Sequence, residues 1–309
     1  MWHVWERCEG PEKRCGLAAS TVHRWLDGAG RQVQAGLKEQ LKGVFCSGQM
    51  GADGLWAHLR GKSKGVLLSL ADSVTGVVWA VVAVADESAE SWRTLFQRGK
   101  EGGLDWGLLN GVTSDGAQGL LSYLRETMGG VHHQLCVWHF WRSLAAELAR
   151  AAAQAAKGLA EDVAEGVAQT IRQELSALLH AIIDARSFEK AEEALAQLAS
   201  HPFGQRIAQK VNEQGDRLLF HLLACHQGLV RIAPEWLWRD FRLRPSRGRN
   251  HGCTQRLGRA GLLWQTYLNL TPAQKRSERK RKYKHPGQCP LEVAGSPPGE
   301  VSYLDALQV

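Results

Sequence analysis

Two short apolar runs, Gly65-Val-Leu-Leu-Ser-Leu-Ala71 and Gly76-Val-Val-Trp-Ala-Val-Val-Ala-Val84, decide the fold class of this chain. Both contain the β-branched residue Val, which favours strands, and the segment Asp72-Ser-Val-Thr-Gly76 between them is typical of a turn. The two runs therefore predict a β-hairpin. Residues 50–59 predict a third strand beside it.

The order of the remaining elements predicts a mixed sheet with helices packed against it. Residues 108–113 and 131–137 predict a fourth and a fifth strand, and residues 88–98 and 117–127 predict helices before and between them. Residues 145–200 then form a proline-free block rich in Ala, Leu, Glu and Gln, with apolar residues every three or four positions. We expect an α/β fold with a large all-helical block.

The positive charge of the chain is concentrated near one end. The 309 residues carry 38 Lys and Arg against 31 Asp and Glu, a net charge of +7. Between Arg239 and Lys284, fourteen basic residues face two acidic ones, which is 14 − 2 = +12 and leaves 7 − 12 = −5 for the rest. This local excess indicates a polyanionic partner such as DNA.

Composition excludes several other classes of protein. The chain is 44% hydrophobic with 33 dispersed glycines, so it is neither collagen-like nor globally disordered. Its seven cysteines are odd in number and scattered, which predicts thiols and not a disulfide framework. The sequence has no apolar run of membrane-spanning length and no signal-peptide pattern, so we expect a soluble cytoplasmic protein associated with the nucleoid and not with a membrane.

Residues 16–26 resemble the turn and second helix of a helix-turn-helix. In this interpretation Thr21, His23 and Arg24 face outward toward DNA. An ordinary short amphipathic helix is the alternative. Since few residues precede Pro11, the segment predicts a shortened N-terminal domain.

Two aspartates stand where strands present carboxylates for metal binding. Asp53 lies within the predicted third strand, and Asp115 follows the fourth strand in Val112-Thr-Ser-Asp115-Gly. Carboxylate oxygens on neighbouring strands suit hard divalent cations, which phosphodiester chemistry uses to activate one oxygen and neutralise another. For Asp115 alone, the N-cap of the following helix is the alternative.

Cys136 and His139 stand three residues apart at the end of the fifth strand. A structural zinc site would need two more ligands, for which His132 and His133 are the near candidates, although a strand does not aim consecutive side chains at one ion. An internal hydrogen bond that ties strand to helix is the alternative.

Several of these motifs together resemble a known family. Gly51-Ala-Asp-Gly-Leu55, Thr113-Ser-Asp115-Gly and Gln134-Leu-Cys136-Val-Trp-His139 are similar to the RNase H-like catalytic domain of insertion-sequence transposases of the Mutator-like type. The similarity covers residues 47–268. It implies an RNase H-like mixed sheet, a Cys-x-x-His element after the second catalytic Asp, and an all-helical insertion.

The resemblance also implies three metal-binding carboxylates, of which this chain matches two. Asp53 and Asp115 take the first and second positions, with Mg²⁺ or Mn²⁺ as the cofactor. The third is usually a Glu at the start of a helix, a few residues after an Asn in an Arg-rich segment. Here Gln255 stands in that place, and Glu235 is the alternative, so the site is expected to be impaired.

The predicted organisation has four parts. Residues 1–46 are the helix-turn-helix-like segment, residues 47–141 with 240–270 the RNase H-like domain, residues 142–239 the helical insertion, and residues 271–309 a basic tail. The basic residues expected to contact DNA phosphates are Arg244, Arg247, Arg249, Lys280, Arg281 and Lys282.

These observations predict a DNA transposase that cleaves and joins phosphodiester bonds. Its partners would be double-stranded DNA and transposon ends, bound by a homodimer or a larger assembly. Two alternatives stay open: a catalytically inactive DNA-binding remnant, and a metal-dependent nuclease with the same fold.

Overall fold

A computed structural model of the chain describes residues 39–59, 64–223, 254–271 and 287–295. It also describes six isolated positions, which are Thr21, Arg24, Gly28, Ala29, Gly36 and Leu37. Within these ranges, no helix is long and apolar enough to cross a membrane.

The strands form one five-stranded sheet in the order β3-β2-β1-β4-β5. The strands are β1 (Gln49–His58), β2 (Lys64–Asp72), β3 (Val78–Val84), β4 (Gly111–Ser114) and β5 (His132–Leu135). Strands β1 and β2 are antiparallel, as are β2 and β3, which confirms the predicted hairpin and the third strand beside it.

The hairpin turn is built around the buried carboxylate of Asp72. Its Oδ1 accepts hydrogen bonds from the backbone N–H groups of Val74 (2.9 Å) and Thr75 (2.8 Å), and its Oδ2 accepts one from Ser47 N (2.7 Å). Gly76 adopts the left-handed φ of +80° that ends the turn. The turn-forming composition thus encodes a specific network of side-chain to backbone bonds.

Eight helices have both of their ends within the described residues from Ala89 onward. They are α1 (Ala89–Glu101), α2 (Gln118–Thr127), α3 (Val137–Ala155), α4 (Glu161–Ile183), α5 (Phe188–Ser200), α6 (Gln205–Leu218), α7 (Thr254–Leu270) and the single turn α8 (Pro290–Val293). The predicted order of strands and helices is confirmed through α3.

The predicted limits of strands β4 and β5 each differ from the structure at one end, and strand β3 begins at Val78, two residues after the predicted Gly76. Strand β4 begins at Gly111 and not at residue 108, because Trp106–Leu108 form a 3₁₀ turn whose N-cap, Asp105, accepts a hydrogen bond from Gly107 N (2.8 Å). Strand β5 ends at Leu135, since helix α3 begins at Val137.

The described residues divide into two compact units. The sheet unit comprises residues 39–59, 64–112, 117–131, 254–271 and 287–295, and the helical unit comprises residues 113–116 and 132–223. The four predicted domain limits given above stay predictions.

Both faces of the hairpin strands are covered in the sheet unit. Helices α1 and α2 pack on the face that includes Met50 and Ala52, whereas α7 packs on the face that includes Ala57 and Leu67. Helix α7 approaches closely at Gly261, where an added Cβ would lie 2.8 Å from Val81 Cγ1. A larger residue there would push the helix away from the sheet.

Two amides of α7 bond to the backbone of Val78, the first residue of strand β3 at the end of the sheet order. Asn269 Oδ1 accepts from Val78 N (2.8 Å), and Asn269 Nδ2 (3.0 Å) and Gln265 Nε2 (2.8 Å) donate to Val78 O. All three residues are buried. These bonds satisfy backbone groups at the place where the β2–β3 register shifts.

The helical unit has its own apolar core. Apolar residues recur every three or four positions along helices α3 to α6, and their side chains pack together in one cluster. Its most buried members include Leu144, Leu175, Leu179, Leu198 and Val211. Every element assigned between residues 137 and 223 is helical, as the composition of residues 145–200 predicts.

Polar groups join the elements of the helical unit at two places. The side chain of Glu147 on α3 is 6% exposed and lies 2.9 Å from Lys210 Nζ on α6. The bond from Lys210, together with Arg150, holds the pKa of Glu147 below its ordinary value.

Gln134 on β5 donates to Leu218 O (2.9 Å) and accepts from His221 N (3.0 Å), which connects the strand to the end of α6.

Candidate functional site

Asp53 lies in the interior of strand β1 and is 5% exposed. It pairs with Ser69 of β2, whose hydroxyl donates to the backbone oxygen of Asp53 at 3.1 Å. Since side chains alternate along a strand, Asp53 is on the same face as Leu55 and Ala57, the face that α7 covers. The first predicted carboxylate is therefore held by the sheet itself.

Gln255 lies in the first turn of α7, the helix that covers this same face. Its side chain falls outside the described part of the molecule. Near the start of α7, Leu257 lies close to Gly65, where an added Cβ would be 3.5 Å from Leu257 Cδ2. The alternative third residue, Glu235, also lies outside the described ranges.

Asp115 follows strand β4 directly and is exposed. The N-cap of α2 is Ala117, which makes no side-chain capping bond, so the alternative that Asp115 caps this helix was wrong. On either side of Asp115 the backbone is fixed. Ser114 O accepts from Cys136 N (2.7 Å), Ser114 Oγ accepts from Gly116 N (3.1 Å), and Gly116 has a φ of +85°.

A partly buried histidine also forms a hydrogen bond with Ser114. His133 Nε2 on β5 lies 2.8 Å from Ser114 Oγ. Burial, followed by the charge of Arg217, lowers the pKa of His133 from 6.5 to about 4. The imidazole is therefore neutral near pH 7, and it holds the hydroxyl that bonds to the residue after Asp115.

The Cys-x-x-His element lies at the start of α3. Cys136 is fully buried and is the N-cap of the helix. His139 lies in the first turn, and its ring is nearly perpendicular to that of Trp138, with ring centroids 4.8 Å apart. The backbone N–H of Cys136, bonded to Ser114, ties this helix to strand β4. The role of Cys136 and His139 as a structural motif stays a prediction.

The two histidines considered as further zinc ligands have other contacts. His132 lies against Phe220 with ring centroids 4.8 Å apart, and His133 bonds to Ser114. Among the described residues, no group of three or more His, Cys, Asp or Glu side chains is arranged to hold a metal ion.

Arg217 was not singled out in the sequence. It occupies the last turn of α6, is half-buried, and donates from Nη2 to Gln214 Oε1 (2.6 Å). An added Cβ on Gly116 would lie 3.9 Å from Arg217 Nη1. The helical unit thus brings a guanidinium to the turn that carries Asp115.

Few of the predicted DNA contacts can be placed. Thr21 and Arg24 are helical, and Arg24 Nη2 lies 3.4 Å from Thr21 Oγ1, so the two side chains meet. The others fall outside the described ranges, namely His23, Arg244, Arg247, Arg249, Lys280, Arg281 and Lys282.

Comparison with known proteins identifies the family. Residues 73–226, about half of the chain, match the family described as transposase, Mutator family. The chain belongs to the Mutator family of transposases. No curated protein matches it.

The match covers part of the predicted site of this Mutator-family transposase. It includes Asp115, Cys136 and His139, whereas Asp53 precedes it and Gln255 follows it. Residues of the site that the sequence did not reveal include Arg217, which also lies within the match. Ser114 was not singled out in the sequence either, and His133 was considered only as a zinc ligand; they lie in the short strands β4 and β5.

Proposed function

We propose that this Mutator-family transposase cleaves and joins DNA strands by a metal-dependent in-line attack, with Asp53 and Asp115 as the metal-binding carboxylates. The observation that carries the proposal is the family match, which includes the Asp115 turn. The sheet order β3-β2-β1-β4-β5, with its first three strands antiparallel, supports an RNase H-like domain. In that order β1 and β4 are neighbours.

The donor chemistry of the two aspartates fits Mg²⁺ or Mn²⁺. Both supply carboxylate oxygens, which these hard cations prefer, and Asp53 is 5% exposed, so little water screens its charge. When bound, a divalent cation would lower the pKa of the attacking water or 3′ hydroxyl and stabilise the leaving oxygen.

The contribution of the protein is to hold the two carboxylates in fixed positions. Strand β1 fixes Asp53 within a buried ladder, and the bonds of Ser114 and Gly116 fix the backbone on both sides of Asp115. Preorganised carboxylates need no rearrangement during the reaction, which is a large part of what an active site contributes. The partners would be duplex DNA and transposon ends, held by a homodimer or larger assembly at the nucleoid.

The residue at the third position determines how active this copy is expected to be. If Gln255 takes the place of the usual Glu, the site carries one negative charge fewer and binds cations weakly. We therefore propose slow cleavage, with a DNA-binding remnant as the second candidate, because the same amide would also accompany complete loss of activity.

A strand-nicking assay on the purified full chain tests both candidates. Gln255→Glu should raise the nicking rate of duplex DNA in Mg²⁺ at least about tenfold, since a carboxylate replaces an amide. Wild-type cleavage that is fast, unchanged by Gln255→Glu and lost in Glu235→Gln would show that Glu235 is the third ligand. DNA binding without nicking in every variant would favour the remnant. Nicking that persists without strand joining on any end-containing DNA would favour a nuclease.

A further inference from the structure

Helix α6 brings one guanidinium to the Asp115 turn, and that placement is specific. Arg217 Nη1 would lie 3.9 Å from a Cβ added to Gly116, the residue after Asp115. The side chain is half-buried, so its position is restricted by neighbours. A long exposed arginine would instead sample many rotamers.

The guanidinium is oriented but not neutralised by the described residues. Its Nη2 donates to Gln214 Oε1 at 2.6 Å, and Gln214 is an uncharged amide. Two other arginines of this unit, Arg150 and Arg206, lie 2.6 Å and 3.9 Å from the carboxylate of Glu147. In the described ranges no such carboxylate ion pair involves Arg217.

The charge of Arg217 acts on the same turn. It is the second cause, after burial, of the lowered pKa of His133, the residue that bonds to Ser114. The positive charge of Arg217 therefore lies close enough to act on the histidine that bonds to Ser114, the residue before Asp115. An anion that approaches the exposed Asp115 would meet the charge of the half-buried Arg217.

We propose that Arg217 binds a phosphate group of the DNA strand that reacts at Asp115. Guanidinium has five N–H donors in a planar fork that matches phosphate oxygens, and among the described residues the hydrogen bond to Gln214 occupies only one nitrogen of that fork. A contact to a phosphate does not depend on the base sequence, so it would position the DNA strand without making binding sequence-specific. This inference rests on the proposed function, because Asp115 must be at the reacting centre.

A structural role is the alternative explanation for the same residue. Arg217 lies in the last turn of α6, where a cation interacts favourably with the helix dipole. This role predicts a loss of thermal stability on substitution and no change in DNA affinity. The two explanations therefore differ in what they predict for DNA binding.

The experiment measures DNA affinity without catalysis. The full chain carrying Asp115→Asn is titrated into a fluorescent mixed-sequence duplex with a central nick, at several salt concentrations. Arg217→Gln in this background should weaken binding about tenfold and reduce the slope of log affinity against log salt by roughly 0.9, the value for one phosphate contact. Arg217→Lys should keep most of the slope and lose less affinity, because it keeps the charge without the fork.

Arg172→Gln is the matched control, since Arg172 is an exposed arginine on α4 of the same unit. It should leave affinity and slope unchanged. Equal behaviour of Arg217→Gln and this control, with or without a drop in unfolding temperature, would overturn the inference and leave the proposed function intact. If the parent chain binds no DNA and the wild type cleaves none, the proposed function fails and the inference fails with it.

Discussion

Asp53 and Asp115 are held in place by different means. Asp53 is 5% exposed in the interior of a ten-residue strand and is paired across the ladder with Ser69. Asp115 is exposed and follows a four-residue strand, and its neighbours are fixed by one hydroxyl and one left-handed glycine. The first carboxylate depends on the whole sheet, whereas the second depends on a few side chains.

This difference makes the two positions separable by mutation. A change that moves Asp53 must disturb the β1–β2 ladder and therefore the fold. Changes at Ser114, Gly116 or His133 alter the support of Asp115 while the core residues stay in place. The Asp115 turn is thus where activity and stability can be measured apart.

The largest expected effect comes from removing either carboxylate charge. Asp53→Asn and Asp115→Asn should each lower DNA nicking at least about a thousandfold, which corresponds to roughly 4 kcal/mol of transition-state stabilisation. Asn keeps the shape of Asp, so circular dichroism and unfolding temperature should change little. Nicking that survives in either variant would show that the substituted residue is not a metal ligand, and the two aspartates could then no longer be compared as parts of one site.

Gly116→Ala should have the next largest effect. The left-handed φ of +85° costs a residue with a Cβ about 1 kcal/mol, and the added Cβ would lie 3.2 Å from Leu135 Cδ1. A shift of the turn by about 1 Å should lower nicking about a hundredfold. Gly158→Ala is the matched control, because Gly158 has a φ of +81° with no atom within 4 Å of the added Cβ. It should lose similar stability and no activity.

Ser114→Ala should weaken the turn more mildly. It removes the hydroxyl that accepts from Gly116 N (3.1 Å) and leaves that N–H without this partner, at a cost of about 1–2 kcal/mol. We expect about tenfold slower nicking. Ser143→Ala removes a bond of 2.7 Å to Phe140 O inside α3 and should not affect nicking. Equal rates for the two variants would show that the hydroxyl does not position Asp115.

The smallest effect concerns the stability of the helical unit against pH. The pKa of His133 falls from 6.5 to about 4 on folding, so between these values the unfolded chain binds a proton that the folded chain does not. Stability should therefore fall as the pH is lowered through this window, by roughly 2 kcal/mol at pH 5. Urea unfolding without divalent cations should show this loss in the wild type and in His180→Gln, whose histidine is exposed, but much less in His133→Gln. The same loss in all three would assign the pH dependence to other groups.

Much of the sheet was predictable because its strands carry local signals. The hairpin was marked by β-branched runs around the Asp72 turn, and β1 was predicted within one residue at each end. The start of β4 was misplaced because Leu108 looks like a strand residue, while the neighbouring Asp105 caps a 3₁₀ turn. The apolar pattern does not reveal whether a segment follows its strand propensity or forms a turn that a side chain caps.

The support of Asp115 could not be predicted in the same way. Ser114 and His133 are 19 residues apart, and the sequence contains no periodic signal for their bond. Arg217 is more distant still, since its approach depends on how α6 packs in the helical unit. Motifs identified Asp53 and Asp115 as candidates, but only tertiary packing assigns the residues that hold the turn.

The bonds between α7 and strand β3 also affect how the protein is made. Val78 is separated from its partners Gln265 and Asn269 by 187 and 191 residues. At translation rates of about 5–20 residues per second, β3 therefore leaves the ribosome roughly 10 to 40 seconds before α7 exists to cover it. During that interval the open strand is a template on which other nascent chains can pair. A chaperone that covers strand β3 during this interval would prevent such pairing until α7 is available.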